Sequence, residues 1–324
     1  MAETRFVKAI TQALADAMEA DDRVVLLGED IGAAGGPFSA TRGLRDRFGA
    51  ARVLDTPISE ATIVGAAAGA AMSGLRPVVE IMFMDFVTLA MDAMVNQAAK
   101  ARFMFGGQCS VPMVLRTPHG AGLNAGPQHS QCLEAWFAHI PGLKVVCPAD
   151  PAEAYGLLRA AIDDPDPVVF IENKALYAMK GDLAEGAGPI PLGKARIARE
   201  GRDATIVTYG ASVGRALQAA ETLAGEGVEA EVIDLRTLQP WDKAAVLGSL
   251  AKTHRAVVAH EAVQSHGVGA EIAATIADEG FDELDAPVVR VGAPFMPVPF
   301  AASLEQAYLP GPDDIAAGVR RTLE

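Results

Sequence analysis

Glu60 stands at the head of a long uncharged run of small residues, within DTPISEATIVGAAAGAAMSGL from Asp55 to Leu75. Ser59 before it is a type that caps helices, and a carboxylate in a first helical turn meets the positive end of the dipole. Spacing alone fits an acid that merely complements that dipole on a surface. Gly65 and Gly69, four apart among alanines, leave one helix face nearly bare of side chains. Such a face suits close approach by another backbone or by a flat ligand. The second candidate is His129, in NAGPQHSQ from Asn124 to Gln131. Glycine and proline hold that backbone in an irregular shape, so the imidazole is displayed rather than packed. A displayed histidine can move protons near neutral pH. The plainer alternative, a loop histidine bonded to a backbone carbonyl, applies more readily to His139, His254 and His260. His119 and His266 lie in similar loops and are secondary candidates.

The elements that must hold these residues follow from the apolar runs. The first 22 residues read as an amphipathic helix, and RVVLLGED is a short buried strand that delivers Glu29 and Asp30 to its C-terminal edge. A glycine-rich loop, IGAAGGPFSATRGL, comes next. After the Glu60 helix, RPVVEIMFMDF is a strand, and a helix runs from about Thr88 to Phe105 with Asp92 and Asn96 in it. VPMVLRTPHG, GLKVVCPAD and DPVVFIENK are further strands, the last two separated by the helix AEAYGLLRAAI. Strands alternating with helices imply a parallel sheet covered on both faces. Gly181 to Ala195 is rich in glycine and proline and breaks the rhythm, which places a domain boundary there. Beyond it strands and helices alternate again, through ATIVTYG, AEVIDLRTLQP, RAVVAHEAV, GVGAEIAATIADEG and PVVRVG.

Composition excludes several classes. With 324 residues, half of them hydrophobic, and a net charge of −14, no basic stripe exists to release counterions from a nucleic acid. From Ala204 onward seventeen acids face eight lysines and arginines, with the densest run at DEGFDELD, Asp278 to Asp285. That run is either a solvated helix end or a docking surface for a basic partner. Cys109, Cys132 and Cys147 are odd in number and lack ligand spacing, which fits reduced thiols in a cytoplasmic protein. The uncharged run after Glu60 is too short and too glycine-rich for a membrane span. No P-loop, HExxH or GxSxG occurs, and GVGAEI from Gly267 lacks the third glycine of a dinucleotide fingerprint.

LGEDIG, GGPF, DTPISEATIVGAAAGAAMSGLRP, MFMDF, NQAAK, GPQHSQ, HIPGLKVV and DPVVFIENK together resemble the β subunit of thiamine-diphosphate-dependent 2-oxo acid dehydrogenases. That family includes the pyruvate, branched-chain 2-oxo acid and acetoin enzymes. The resemblance runs from the first helix to the final strand. It implies an α/β fold of two doubly wound domains: a transketolase-like pyrimidine-binding domain over residues 1–188 and a transketolase-like C-terminal domain over 189–324. A complete thiamine-diphosphate enzyme normally holds magnesium and diphosphate with a GDG motif, and this chain contains none. In the family that motif belongs to a separate α subunit, so the resemblance implies an assembly of two α and two β chains. RTPHG and NAGPQHSQC are most similar to the bacterial pyruvate and acetoin branch.

The resemblance also assigns roles. It implies that Glu60 bonds N1′ of the cofactor's aminopyrimidine and favours its imino tautomer. Met82 and Phe86 match positions that pack on the same ring, although ordinary core packing would give the same local pattern. His129 matches the family histidine near the thiazolium, proposed to supply a proton when the acyl group moves to the lipoyl dithiolane of the acyltransferase. Glu29, placed with Glu60 among the cofactor-binding residues, also matches, with Asp92, acids that line a polar passage between two active sites in some members. A potassium site is implied at Met113, Ala161, Ile162, Asp164 and Asp166, largely through backbone carbonyls, with a plain structural loop as the alternative. Asp166 stands where some members carry Asn. A one-chain transketolase or deoxyxylulose-phosphate synthase shares the fold but not the length or the missing GDG. A non-catalytic partner that kept the fold would not need Glu60 or His129, and both are present.

Overall fold

Phe6, Ala9, Ile10, Ala13, Leu14 and Ala17 recur at three- and four-residue spacing and form one fully apolar stripe on helix α1 (Phe6–Ala20). That stripe packs on α7 (Pro151–Asp163), whose own buried face includes Ala154, Leu157, Leu158 and Ala161. Residues 2–324 are described by the structure, a computed structural model. The four residues before α1 do not extend the helix, as the sequence suggests, but form strand β1 (Ala2–Arg5). β1 pairs antiparallel with β8 (Lys180–Leu183), so the backbone bonds of both segments are met in a small separate ribbon.

The chain divides into two compact units, Met1–His119 with Trp136–Leu192, and Gly120–Ala135 with Gly193–Glu324. The His129 loop packs with the second unit, although it lies within the sequence of the first. Its backbone bonds explain why. Ala121 N–H donates to Glu261 and Asn124 N–H donates to Glu305, both far along the chain in that second unit.

In the first unit β2 (Val24–Gly28) is followed by the short helix α2 (Leu44–Phe48), β3 (Val53–Asp55), α3 (Glu60–Met72) and β4 (Arg76–Glu80). Helix α4 (Met84–Val87), a 3-10 turn (Thr88–Ala90), a π-helical stretch (Ala93–Ala98) and α5 (Ala99–Met104) then replace the single helix expected from Thr88 to Phe105. β5 (Val114–His119), α6 (Glu134–Ala138), β6 (Lys144–Val146), α7 and β7 (Val168–Asn173) complete it. Its strands run parallel in the order β6-β7-β5-β4-β2-β3. Every residue of β5 and β7 is buried, as expected of parallel strands covered on both faces.

A buried ionic network crosses the C-terminal ends of three of these strands. The Arg116 guanidinium on β5 donates to both Glu172 oxygens (2.7 and 2.9 Å) and to Glu80 (2.7 Å), and Tyr177 Oη donates to Glu172 (2.7 Å). Burial pushes the Glu80 carboxyl up, against the pull of Arg116. Removing one partner of such a group typically costs about 3–5 kcal/mol, so it locks β4, β5 and β7 in register.

The second unit contains β9 (Arg196–Arg199), β10 (Ala204–Thr208), α8 (Ser212–Ala224), β11 (Ala230–Asp234), β12 (Thr237–Gln239) and α9 (Lys243–Thr253). β13 (Ala256–Val263), α10 (Val268–Glu279), β14 (Val289–Ala293), α11 (Ala302–Tyr308) and α12 (Pro312–Leu323) follow. Its sheet has the order β14-β13-β10-β11-β9, parallel except for the antiparallel edge strand β9. Among the described residues no helix is long and apolar enough to cross a membrane.

Candidate active site

The first unit's candidate residues lie at the C-terminal edge of its sheet, where ligands of open α/β sheets collect. Gly28, the last residue of β2, is in register with Asp55 of β3 and Glu80 of β4. Glu29 leaves the sheet at that point, and Asp30 after it takes a left-handed φ of 55°, which turns the chain at once into the glycine-rich loop. The loop is tied down on its far side. Asp55 accepts from Gly32 N–H (2.5 Å) and from Arg45 (2.5 Å), while Gly36, at φ 77°, lies so close to the Glu80 carboxylate that a side chain would collide with it.

Glu60 opens α3, as its position in the sequence implies, but Ser59 does not cap the helix backbone. The Ser59 hydroxyl donates instead to Thr62 Oγ1 (2.7 Å). Glu29 and Glu60 are each only 8% exposed. Neither carboxylate receives a hydrogen bond among the described residues. Burial pushes the Glu29 carboxyl above its ordinary range, and the neighbouring charges of Glu60 and Asp30 push it the same way. Glu29 therefore lies within the electrostatic reach of Glu60.

The rest of α3 buries Ile63, Val64, Ala67, Ala68 and Ala71 and leaves Ala61, Thr62, Ala66 and Met72 exposed. Where a side chain at Gly65 would stand, the nearest atom is Ala93 Cβ at 4.0 Å, and at Gly69 nothing lies within 4 Å. Within this unit, then, no backbone makes the close approach that the glycine spacing suggests. Met82 and Phe86 are half-buried, one just past β4 and the other in α4. MFMDF is thus a turn into a short helix rather than a strand end, and Phe83 stacks edge-on against Phe86 with ring centres 5.9 Å apart. Asp92 is exposed and accepts from the Asn96 amide (2.7 Å) across one helical turn.

At the loop expected to hold potassium, the chain's own cations pair with both acids. Lys144 Nζ donates to both Asp164 oxygens (2.7 and 2.6 Å), and Arg102 pairs with Asp166 (2.7 Å). The Ile162 carbonyl accepts from Arg76 (2.7 Å), the Met113 carbonyl from Val168 N–H (3.0 Å) and the Ala161 carbonyl from Asp164 N–H (3.4 Å). Lys144 and Arg102 thus balance the charge of Asp164 and Asp166, and each of the three carbonyls already accepts one hydrogen bond. The Asp at 166, rather than Asn, gives Arg102 its partner.

In the second unit His129 is half-buried on a turn closed by its own N–H to the Gly126 carbonyl (3.3 Å). Asn124 and Gly126 both adopt left-handed φ, 54° and 75°. His260, by contrast, is a buried histidine: Nδ1 lies 3.1 Å from the Ala262 carbonyl, and burial pushes its pKa down. Sequence reasoning missed Glu261 and Glu305, the acids that hold the His129 loop, because neither lies near it in the chain.

Two α/β units, one with a buried acid pair at its strand ends and one presenting a loop histidine, define the transketolase class of fold. Residues 2–180 match the family model "Transketolase, pyrimidine binding domain" and residues 193–315 match "Transketolase, C-terminal domain". A solved "Split gene transketolase, inactive beta4 tetramer" superposes with a TM-score of 0.81 at 24% identity, over 98% of this chain and 97% of that one. Among curated proteins, the chain is 50% identical to "Acetoin:2,6-dichlorophenolindophenol oxidoreductase subunit beta" of Bacillus subtilis (strain 168), over 95% of this chain and 94% of that protein. It is 48% identical to "Pyruvate dehydrogenase E1 component subunit beta-2, mitochondrial" of Oryza sativa subsp. japonica, over 97% of this chain and 85% of that protein. With "2-oxoisovalerate dehydrogenase subunit beta" of Bacillus subtilis (strain 168) it shares 42% over the full length of both. The chain belongs to the β-subunit family of the 2-oxo acid dehydrogenases.

Proposed function

We propose that this chain is the β half of a thiamine-diphosphate-dependent enzyme that decarboxylates a 2-oxo acid, with pyruvate the leading candidate. The acyl group would pass to a lipoyl domain of an acyltransferase. The observation that carries this reading is the pair Glu29 and Glu60, both largely buried and both without a hydrogen-bond donor from the described residues. Buried acids are normally satisfied within the protein or by water. Carboxylate oxygens that keep access to solvent and have no protein partner are open to a ligand that brings its own nitrogen, such as an aminopyrimidine ring.

Thiamine diphosphate, when bound, supplies a carbanionic nucleophile and an electron sink for decarboxylation. Glu60 holds a proton at the ring nitrogen N1′, and its place in the first turn of α3 fixes its direction of approach. Glu29, whose carboxyl is pushed up by burial and by the charges of Glu60 and Asp30, holds its proton more firmly than a free acid does. Met82 and Phe86 offer half-buried apolar surface at the end of β4 for the flat ring. His129 holds the proton needed when the acyl group leaves. Asp92, exposed and bonded to Asn96, fits a solvent-side role in proton passage better than contact with the ring.

The diphosphate and Mg²⁺ are assigned to an α chain, because the GDG motif is missing here. Exposed apolar residues support such a partner: Phe103 is 90% exposed and Ile58 81%, with Met104 and Phe105 beside the former. The open Gly65–Gly69 face of α3 would suit the same purpose. Acetoin cleavage is the second reading, favoured by the 50% identical relative.

Glu60→Gln in the assembled enzyme should leave the fold intact and remove most 2-oxo acid decarboxylation, a loss of about 10²–10⁴-fold for an acid–base contact. Turnover near wild type would sink the role of Glu60.

A further inference from the structure

We propose that Glu305 and Phe300 are positioning residues for His129, acting at a distance through the loop that carries it. The proposal rests on the reading of His129 as the proton donor in acyl transfer.

The loop cannot hold its own shape. Gly120, Gly122, Asn124 and Gly126 all have left-handed φ, between 54° and 100°, and two of its backbone N–H groups have no partner of their own within the loop. What fixes it comes from elsewhere in the second unit. Ala121 N–H donates to Glu261 Oε1 (2.7 Å), across 140 residues of sequence, and Arg215 lies 3.4 Å from the other oxygen of Glu261. Asn124 N–H donates to both oxygens of Glu305 (3.2 and 3.0 Å), across 181 residues.

Glu305 is the telling residue. It is 3% exposed on α11, and among the described residues Asn124 N–H is the one donor to its side chain. Among the described residues no arginine or lysine pairs with it. An acid withdrawn from water and answered by a single backbone N–H is a poor way to stabilise a fold, because desolvation outweighs one hydrogen bond. It is an effective way to hold one peptide in place. Phe300, just before α11, supplies the second hold. Its ring covers Gly126 so closely that any side chain there would overlap it. Gly126 is the first residue of the turn whose closing bond is His129 N–H to Gly126 carbonyl, so the ring fixes the base of the turn that aims the imidazole. Yet Phe300 is itself 67% exposed and contributes little core.

The test uses the assembled enzyme and reads the rate of acyl transfer to a lipoyl domain, with thermal midpoints recorded in parallel. Glu305→Ala and Phe300→Ala should each slow transfer by about 10–100-fold, the scale expected when a catalytic group is displaced by an ångström or so. Glu305→Gln keeps an acceptor oxygen and should restore the rate to within about threefold of wild type. On a His129→Gln background, Glu305→Ala should slow transfer no further, because the group it positions is already gone. Full multiplication of the two losses would overturn the proposal, as would an unchanged rate for Glu305→Ala beside a large loss for His129→Gln. If His129→Gln itself transfers at the wild-type rate, the reading of His129 fails, and the proposal falls with it. Should Glu305→Ala fail to assemble, Phe300→Ala, with its exposed side chain, carries the same double-mutant comparison.

Discussion

A partly buried carboxylate facing two other acids opposes folding at neutral pH, so Glu29 exerts a cost that the rest of the fold must offset. Its ordinary pKa is 4.5, and burial, Glu60 and Asp30 all raise it in the folded chain. A raised pKa means that the folded state binds the proton more tightly than the unfolded state does. The favourable state is therefore complete below the unfolded value and is lost as pH rises through the folded one. Glu29→Gln, which stays neutral, should raise the thermal midpoint of the purified chain at pH 8. The gain should shrink as pH falls and vanish near pH 4.5, the unfolded value. Calorimetry across that range measures it. A gain of equal size at every pH would show that the benefit has nothing to do with the proton. The same substitution removes the titrating carboxyl beside Glu60, so a more stable variant with impaired turnover is the expected outcome of strain kept at a site for function.

At the scale of elements, the structure separates what local sequence can carry from what it cannot. β2, β5 and β7 are legible from the apolar starts VVLL, VL and VVFI, although β2 is only alternately buried and β5 and β7 carry buried polar residues at their ends. α3 is legible from its small residues, and Glu60 from its place at the start. The short β1 is not, since AETR pairs only with KGDL some 175 residues later and looks like a helix start on its own. Ser59 has the right residue type for a cap but an unsuitable geometry, and its hydroxyl finds Thr62 first. The His129 loop announces its histidine through glycine and proline, but its supports, Glu261 and Glu305, could be found only in three dimensions. The loop at Asp164 and Asp166 shows the converse case. A family pattern suggests potassium there, while Arg102 and Lys144 already balance its two acids and Arg76 bonds the Ile162 carbonyl. A ligand that binds only the folded state raises the thermal midpoint by mass action. Exchanging sodium for potassium at constant ionic strength should therefore leave the midpoint of this chain where it was. A rise specific to potassium would mean that the carbonyls of Met113, Ala161 and Ile162 take an ion despite their present bonds.

At the scale of the whole molecule, charge is the property that a partner would feel first. The net charge is −14, and the residues from Ala204 onward hold most of the excess acid. The densest run, DEGFDELD, lies at the end of α10 and in the turn after it. The run is less bare than its sequence suggests: Glu279 pairs with Lys243 (2.8 Å), Glu283 with His254 (3.4 Å) and Asp285 with Arg255 (3.3 Å). Asp278 and Asp282 have no ion pair among the described residues, and both are exposed. Asp282 also lines a surface cavity of about 970 Å³ together with Ala273, Ala277 and the 70% exposed Phe281. Asp285 and Arg290 also line this hollow, so its own charge is only slightly acidic, with Asp278 adding to the acid on the same helix end; we propose that it receives a small basic subunit-binding domain of the acyltransferase. Complementary charge at such a contact speeds encounter more than it deepens affinity. Association with the acyltransferase's subunit-binding domain should therefore slow markedly as ionic strength rises from about 0.01 to 0.15 M, where the screening length falls from roughly 30 to 8 Å. Asp278→Asn with Asp282→Asn should lower the low-salt rate and flatten that dependence, leaving catalysis untouched. Stopped-flow rates that hardly change with salt, or that ignore the double substitution, would place the dock elsewhere and leave these acids as a solvated rim.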